Sequence, residues 1–429
     1  MKTASSKYEK HFNTVVLAFL AFATYSCMYA FRKPFTVATF EDMLFLGIHY
    51  KIWLITAQVI GYTSSKFVGI KIIAEVRHHQ RWYYILGLIG VAWLALLGFA
   101  LSPSPFNIIF LFINGFPLGL IWGLVFTYAE GRQTTEVLMA ALCTSFIFAS
   151  GLVKSVGKWW LVYTDISEFW MPFMTGLTFI PLLVLSVWLL DRRPGPDKID
   201  MAMRTARPPV DAAQRKFIIK SYLPGLILLI VTYMLLTAFR DFRDNFMAEI
   251  WMDLGKASDP SIFTKTEVPI AIVVLVIMSL IVVIRSNKKA FMFIQALVIV
   301  GLFTIGLCTL LFMDGKINAF NWMVLTGMGL YMSYIPFNGI LFDRLVAAFR
   351  HVGTAGFLVY LADAFGYLGS TGVLLYKNFG QAQLSWLEFF SYGAIILSGL
   401  GLLLMISSML YFKQKIRKLN EETPLAQTT

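Results

Sequence analysis

Long stretches of apolar residues, separated by short polar segments, dominate the pattern of this chain. Each stretch is about 20 residues long, the length at which an α-helix spans the hydrocarbon core of a bilayer. Because a backbone inside a membrane must satisfy its own hydrogen bonds, we predict an all-α membrane protein with one transmembrane helix per stretch. The twelve stretches cover residues 12–34, 52–74, 82–101, 106–128, 137–160, 169–190, 222–243, 266–285, 290–313, 320–342, 352–376 and 386–411.

A polar segment near the middle of the chain divides these spans into two sets of six. Residues 191–220 are rich in proline and in basic side chains, which is typical of a linker rather than a span. We therefore expect an N-terminal six-helix bundle over residues 1–190 and a C-terminal six-helix bundle over residues 221–412. Residues 413–429 are expected to form a cytoplasmic tail.

Charge refines this picture. Hydrophobic residues make up 58% of the chain and charged residues 14%, whereas soluble proteins have about 45–50% and 25%. The net charge of +12 would suggest nucleic acid as a partner of a soluble protein, but here its distribution explains it. If the N-terminus is cytoplasmic, 24 of the 36 lysines and arginines lie in inside segments and six in outside loops. The positive-inside rule then predicts cytoplasmic termini in an inner (plasma) membrane, with no nucleic-acid partner.

Six cations remain, within or at the edge of a span: Arg32, Lys66, Lys154, Lys158, Arg240 and Arg243. A charge at the centre of a membrane helix costs at least about 2.5 kcal/mol, so such residues usually face a cavity or a partner. Arg32 and Arg240 each complete an Ala-Phe-Arg motif at the end of spans one and seven. Parallel repeats place binding residues where the repeats meet, which favours both arginines. Snorkelling of Arg32 and a structural salt bridge of Lys66 are the alternatives.

Charged residues beside these arginines suggest a gate. Lys33 and Asp244 lie at equivalent ends of the two halves, and we predict that they pair. Asp241 and Asp244 could hold guanidinium groups toward a pore, or the alternating signs could form a self-neutralising cluster at the membrane surface.

Further polar residues lie in the later spans. Tyr334 and Asn338 flank a proline in span ten and offer hydrogen bonds to a ligand. Asp363 lies deep in span eleven, where it either neutralises a cation or carries a proton. Lys154 in span five is predicted to face the cavity.

Three motifs resemble a known transporter family: Tyr29 to Phe35 with its Arg-Lys pair, Tyr62 to Gly69, and Val352 to Gly356 followed by Phe365 to Gly369. With the twelve-span pattern, they make the chain resemble the major facilitator superfamily. Within it, the chain looks like the organophosphate:phosphate antiporters, which include glycerol-3-phosphate and hexose-phosphate transporters.

The resemblance implies roles for individual residues. Arg32 and Arg240 would grip a phosphate, with Arg243, one turn further on, as the rival for the second position. Lys66 would lie near the same cavity. Residues 146–151 lack the histidine of the group's fifth helix, so a bacterial branch related to the antiporters fits better than any single named transporter.

We therefore predict a secondary transporter that moves a small anion, chiefly an organic phosphate or phosphate, by alternating access. A proton-coupled symporter that uses Asp363 and a non-transporting sensor are the alternatives. No nucleophile with a base, no metal-ligand set and no phosphate-binding glycine loop occurs at catalytic spacing, so we expect neither an enzyme nor a cofactor nor a bound metal. The expected surroundings are a small anionic solute and the lipid bilayer, with the chain acting as a monomer.

Overall fold

The structure, a computed structural model, describes residues 2–76, 78–129, 135–195, 212–256, 259–338, 340–349, 356–380 and 383–425. These residues are mostly helical. The helices are α1 Lys2–Tyr29, α2 Tyr50–Glu75, α3 Arg81–Leu101, α4 Ile108–Ala129, α5 Thr135–Tyr163, α6 Met171–Asp191, α7 Ala212–Asn245, α8 Met247–Asp253, α9 Ile262–Val283, α10 Asn287–Met313, α11 Ala319–Tyr334, α12 Leu341–Ala348, α13 Gly356–Phe379 and α14 Trp386–Leu425. Short 3₁₀ turns occupy Pro34–Val37, His78–Gln80 and Ile335–Asn338.

Each of the twelve predicted spans coincides with a helix, which confirms the all-α membrane prediction. Within the described residues, ten helices are long and apolar enough to cross a membrane. The other two positions are taken by α2, which carries several hydroxyl and amide side chains, and by the 16-residue α11. One small exception to the helical pattern is an antiparallel hairpin of strands β1 Leu44–Phe45 and β2 Ile48–His49.

Two helices extend beyond their predicted spans. Helix α7 begins at Ala212, inside the predicted linker, and its backbone departs from helical geometry at Tyr222. Pro224 follows closely, and a proline inside a helix removes one backbone donor and crowds the preceding turn. Helix α14 continues to Leu425, so most of the predicted tail is helical.

Contacts between Cα atoms group the chain into two compact units: Met1–Arg204 with Asp244–Leu275, and Thr205–Arg243 with Val276–Thr429. The sequence placed residues 244–275 in the second bundle, whereas here they belong to the first unit. Asp244 and Glu249, at the start of this segment, form ion pairs with lysines of the first unit. In the first unit α2 packs along α4, and α1 packs against α5 and α6; in the second, α10 packs against α11 and α14.

Candidate functional site

The segment that carries Arg32 is a turn that follows α1. Helix α1 ends at Tyr29, whose carbonyl accepts hydrogen bonds from the backbone N–H groups of Arg32 (3.0 Å) and Lys33 (2.9 Å). Pro34 then begins a 3₁₀ turn. Proline disfavours the helical conformation of the residue before it, so the helix ends before Pro34.

Two buried amides satisfy the backbone carbonyls of this turn. Asn114 Nδ2 donates to the carbonyl of Phe31 (2.9 Å) and to that of Ala92 in α3 (2.9 Å). Gln58 Nε2 donates to the carbonyl of Arg32 (2.9 Å) and to Asn114 Oδ1 (2.8 Å). Unpaired carbonyls are costly in an apolar environment, so these amides make the turn possible at this depth. We call Gln58 and Asn114 the amide clamp.

Close packing of α2 on α4 brings the two amides together. A Cβ added at Gly61 would collide with the carbonyl of Phe112, and one added at Gly115 would collide with the carbonyl of Gln58. Only glycine allows two helix backbones to approach so closely.

The Arg32 side chain lies on aromatic faces. Its Cζ atom is 3.8 Å from the ring centroid of Tyr62 in α2 and 5.9 Å from that of Tyr29. Arg32 is partly exposed, whereas both tyrosines are buried. A guanidinium donates hydrogen bonds within its own plane, so a ring against its face fixes its orientation without blocking those donors. Such a group can bind an oxyanion through two parallel hydrogen bonds.

The second unit contains a similar arrangement around Arg240. The Arg240 Cζ atom lies 4.3 Å from the ring centroid of Tyr334 in α11. Its Nη2 atom also forms an ion pair with Asp241 Oδ1 at 2.5 Å. The sequence predicted that aspartates hold a guanidinium here, and the structure assigns this contact to Asp241 rather than to Asp244.

Tyr233 links Tyr334 to Asp363. The rings of Tyr233 and Tyr334 stack with centroids 5.3 Å apart and planes 12° apart. The Tyr233 hydroxyl lies 2.6 Å from Asp363 Oδ1, 2.9 Å from Asn338 Oδ1 and 3.3 Å from the Tyr334 hydroxyl. Tyr334, Asn338 and Asp363, which the sequence singled out separately, therefore share one cluster with Arg240.

A glycine positions Asp363 against α7. A Cβ added at Gly366 would lie 3.0 Å from Thr237 Oγ1, so α13 approaches α7 closely there. Asp363 and Tyr233 each lie about one turn away from that contact, which explains why their side chains meet. Of two further glycines in α13, a Cβ added at Gly369 would lie 2.5 Å from Met234 Cγ, whereas one added at Gly372 would meet no atom within 4 Å.

Arg243 occupies a different environment from Arg240. It is fully buried, and its Nη2 atom donates to the backbone carbonyl of Met323 at 3.2 Å. Its Cζ atom lies 5.9 Å from the ring centroid of Tyr331. These contacts fix Arg243 against α11 and leave Arg240 as the arginine of the Tyr334 cluster.

A buried ion network lies in the first unit, around Asp244. Lys33 Nζ is 2.5 Å from Asp244 Oδ2, and Lys154 Nζ is 2.5 Å from Asp244 Oδ1. Ser150 Oγ also donates to Asp244 Oδ1 (2.5 Å), and Lys33 Nζ donates to Asn245 Oδ1 (2.8 Å). The predicted pair of Lys33 and Asp244 is present, and Lys154, which we predicted to face the cavity, is 1% exposed and bound in the same network.

Two further buried acids escaped the sequence analysis. Lys51 is one of the six cations that the sequence analysis assigned to outside loops. In the structure it is fully buried in α2 and pairs with Glu249 of α8. Burial raises the pKa of the Glu249 carboxyl, and the positive charge of Lys51 opposes this effect. Glu267 in α9 is 1% exposed and packs on Gly151 of α5. The sequence did contain a sign that Glu267 is buried, because this acid lies within a predicted apolar span.

The remaining candidates from the sequence are Lys66, possible metal ligands and the cysteines. Lys66 belongs to α2, but its side chain lies outside the described part of the structure. In the described residues, no group of three or more His, Cys, Asp or Glu side chains could hold a metal ion. The cysteines Cys27, Cys143 and Cys308 are free thiols buried in the helices.

Solved structures with the same fold are transporters, not enzymes. A nucleoside transporter, NupG, aligns with a TM-score of 0.58 at 15% identity, over 94% of this chain and 99% of that chain. A D-xylose–proton symporter aligns with a TM-score of 0.61 at 16% identity, over 92% and 97%. A bacterial homologue of the human drug peptide transporters PepT1 and PepT2 aligns with a TM-score of 0.62 at 12% identity, over 94% and 99%.

These likenesses cover nearly the whole chain and establish the fold of the major facilitator transporters. No curated protein matches the chain in sequence. A family model matches residues 34–415, which is most of the chain. The chain therefore belongs to the family of unknown function DUF5690, and it is a multi-pass membrane protein with the major facilitator fold.

Proposed function

We propose that this protein is a secondary transporter that moves a small anion across the inner membrane by alternating access. One observation carries the proposal: each half of the chain holds an arginine against the face of a tyrosine ring. The two arginines, Arg32 and Arg240, end the same Ala-Phe-Arg motif in spans one and seven. A cation inside a membrane protein usually marks a path or a binding site for an ion or a substrate.

Arginine chemistry favours an oxyanion as the substrate. The planar guanidinium matches phosphate and carboxylate groups through two parallel hydrogen bonds, and an aromatic face keeps that plane in one orientation. Tyr334 lies against Arg240, and Asn338 lies beside Tyr334, so both add polar groups that can hydrogen-bond a substrate. We place an organic phosphate or inorganic phosphate first, because the motifs around Arg32 resemble those of the organophosphate:phosphate antiporters.

The network around Asp244 supports a gating role for Lys33. Two lysines share one buried aspartate, and a buried charge that loses its partner is strongly destabilised. Opening this network without replacing the lost charge would therefore be costly. An anion that reaches Lys33 can replace the carboxylate, which would couple substrate binding to movement of this segment.

Reconstitution into proteoliposomes tests the proposal. Vesicles loaded with inorganic phosphate are expected to take up labelled phosphate or a labelled organic phosphate by counterflow. Arg32→Lys and Arg240→Lys, which keep the charge but lose the two-pronged geometry, should each lower the rate at least about tenfold, corresponding to about 1.4 kcal/mol.

Arg192→Lys is the matched control. Arg192 also lies on an aromatic ring, with its Cζ atom 3.8 Å from the centroid of Trp188, but it is exposed at the end of α6. This variant should transport at the wild-type rate. Absence of counterflow in the wild-type protein, or full activity in Arg32→Lys, would contradict the proposal.

A further inference from the structure

We propose that a groove between α7 and α13 binds an anionic phospholipid of the cytoplasmic leaflet, with an acyl chain in the groove and the headgroup on Lys216 and Lys220. The inference does not depend on the proposed function. It is carried by the apolar walls of the groove, by its length and by the position of the two lysines at one end of it.

The groove has apolar walls. Its volume is about 310 Å³, and it is formed by α7 between Ile219 and Met234 and by Leu361 and Phe365 of α13. All the side chains that line it are apolar. A polar occupant would lose its hydrogen bonds to water against these walls and find no replacement, which is costly. A hydrocarbon chain suits the groove better.

Close packing of the two helices ends the groove on one side. A Cβ added at Gly366 would lie 3.0 Å from Thr237 Oγ1, and one added at Gly369 would lie 2.5 Å from Met234 Cγ, so α13 lies tightly against α7 there. Phe365 is the last residue of α13 that lines the groove, just before this contact. The groove therefore runs from the contact toward the first turns of both helices.

The groove has the length of a lipid chain. Ile219 and Met234 are separated by about 22 Å along a helix with a rise of 1.5 Å per residue. One leaflet is half of a hydrocarbon core that is about 30 Å thick. Leu223 and Ile227 are 46% and 51% exposed, so the groove is open along its side. A chain of one leaflet can therefore enter it from the bilayer and lie along it.

Two lysines lie at the other end of the groove. Lys216 and Lys220 are exposed in the first turns of α7. With Leu223 they follow a spacing of three or four residues, which places side chains on one side of a helix. The opposite side of α7 packs inward, since a Cβ added at Gly225 would collide with the ring of Phe412. The lysines thus continue the open side of α7 beyond the groove.

The charge of these lysines is available to a ligand. Among the described residues, neither Lys216 nor Lys220 forms an ion pair with a carboxylate. The positive-inside rule predicts that this end of α7 is cytoplasmic, and the cytoplasmic leaflet carries anionic lipids that attract lysines near the membrane surface. An anionic phospholipid has both parts that the site requires, a hydrocarbon chain and a negative headgroup.

Lipid titration of the purified full-length protein in detergent tests the inference. Native mass spectrometry measures the fraction of protein that carries phosphatidylglycerol or, in a parallel titration, zwitterionic phosphatidylcholine. Phosphatidylglycerol should bind more tightly by about fivefold for each lysine that it contacts, or about 25-fold for both. Equal binding of the two lipids would overturn the inference.

The headgroup end is tested by removing its charge. Lys216→Gln combined with Lys220→Gln should abolish the preference for phosphatidylglycerol. The matched control is Arg285→Gln combined with Lys289→Gln, because these two cations are also exposed and four positions apart in a predicted cytoplasmic segment. The control should keep the wild-type preference. An equal loss in both double variants would mean that the lipid responds to surface charge in general, which overturns the site.

The groove itself is tested by filling it. Ile227→Trp should weaken phosphatidylglycerol binding at least about tenfold, because excluding two methylene groups from an apolar site has an effect of this size. Ile396→Trp, at an isoleucine of α14 that is 59% exposed, is the control and should bind as the wild-type protein does. Thermal melting without added lipid checks that each variant is folded. Full binding by Ile227→Trp would overturn the role of the groove.

A competition experiment separates the lipid from its headgroup. Glycerol phosphate has the anionic group of phosphatidylglycerol without the chains, and at an equal concentration it should not displace the lipid. Displacement would overturn the inference, because the site would then recognise the anion alone. Neither result bears on the proposed function, which the counterflow of phosphate tests separately.

Discussion

The surroundings of Arg32 and of Arg240 resemble each other in geometry and differ in charge. Each guanidinium lies on a tyrosine ring, at 3.8 Å from the Tyr62 centroid and at 4.3 Å from the Tyr334 centroid. The residue that follows Arg32 is Lys33, whereas the residue that follows Arg240 is Asp241. The acid for Lys33 comes from Asp244, far along the chain, while the acid for Arg240 is its immediate neighbour.

The two stretches therefore differ in the balance of their charged residues. The stretch from Tyr29 to Phe35 carries two cations and no acid of its own. The stretch from Ala238 to Asp244 carries two arginines and two aspartates. Of these four, Arg240 and Asp241 pair with each other, whereas Asp244 pairs with Lys33 and Lys154.

Removing the acid of each region gives the largest expected effects. Asp244→Asn removes the carboxylate that pairs with the buried ammonium groups of Lys33 and Lys154, which should cost about 3–5 kcal/mol of stability. Asp241→Asn removes the carboxylate that pairs with Arg240, whose side chain is less buried than those of the two lysines, and should cost about 1–3 kcal/mol. Melting temperatures of the two purified variants measure the difference. Equal losses would mean that the two regions depend on their acids to the same extent.

Removing the ring beneath each arginine should have an intermediate effect. A cation–π contact contributes about 0.5–2 kcal/mol, so Tyr62→Leu and Tyr334→Leu should weaken phosphate binding roughly 2- to 30-fold. The effect at Tyr62 should be the larger because its ring is closer to the guanidinium. Titration calorimetry measures both affinities. The matched Tyr62→Phe and Tyr334→Phe variants keep the ring and should bind more tightly than the leucine variants.

Charges outside both regions should have the smallest effect. Asp259 pairs with Lys265 in the first turn of α9, and Asp314 pairs with Lys316 just after α10, and all four side chains are exposed. A hydrogen bond from the Ser261 hydroxyl lowers the pKa of Asp259. The Asp259 carboxylate therefore stabilises the fold above the ordinary aspartate value of about 3.9, and this contribution is lost as pH falls through the lower folded value.

At pH 7, Asp259→Asn and Asp314→Asn should each cost less than about 1 kcal/mol, because solvent screens exposed pairs. Thermal melts at pH 7 and pH 3 measure the cost and its loss in acid. If Asp259→Asn lowered the stability as much as Asp244→Asn does, buried and exposed ion pairs would contribute equally, which would contradict the prediction.

The sequence was sufficient for the spans, because hydropathy over 20 residues is a local signal. A cation at the end of a span is also a local signal, and it singled out Arg32 and Arg240, whose role in binding stays a prediction. The sequence was insufficient to predict that Lys51 is buried. That residue looks like a loop cation, and only the approach of Glu249, 198 positions further along the chain, shows that it is buried. The carboxyl group of Asp363 was visible in the sequence, but its contact with Tyr233 depends on the packing of α13 on α7.

The amide clamp also has a mechanical consequence. Gln58 and Asn114 attach the turn that carries Arg32 to α2, α3 and α4, so this turn cannot slide along its own axis without breaking several hydrogen bonds at once. The backbone of Arg32 is therefore expected to move together with α2, α3 and α4. A larger side chain at Gly115 would collide with the Gln58 carbonyl, so it should disturb the amide clamp and with it the position of Arg32.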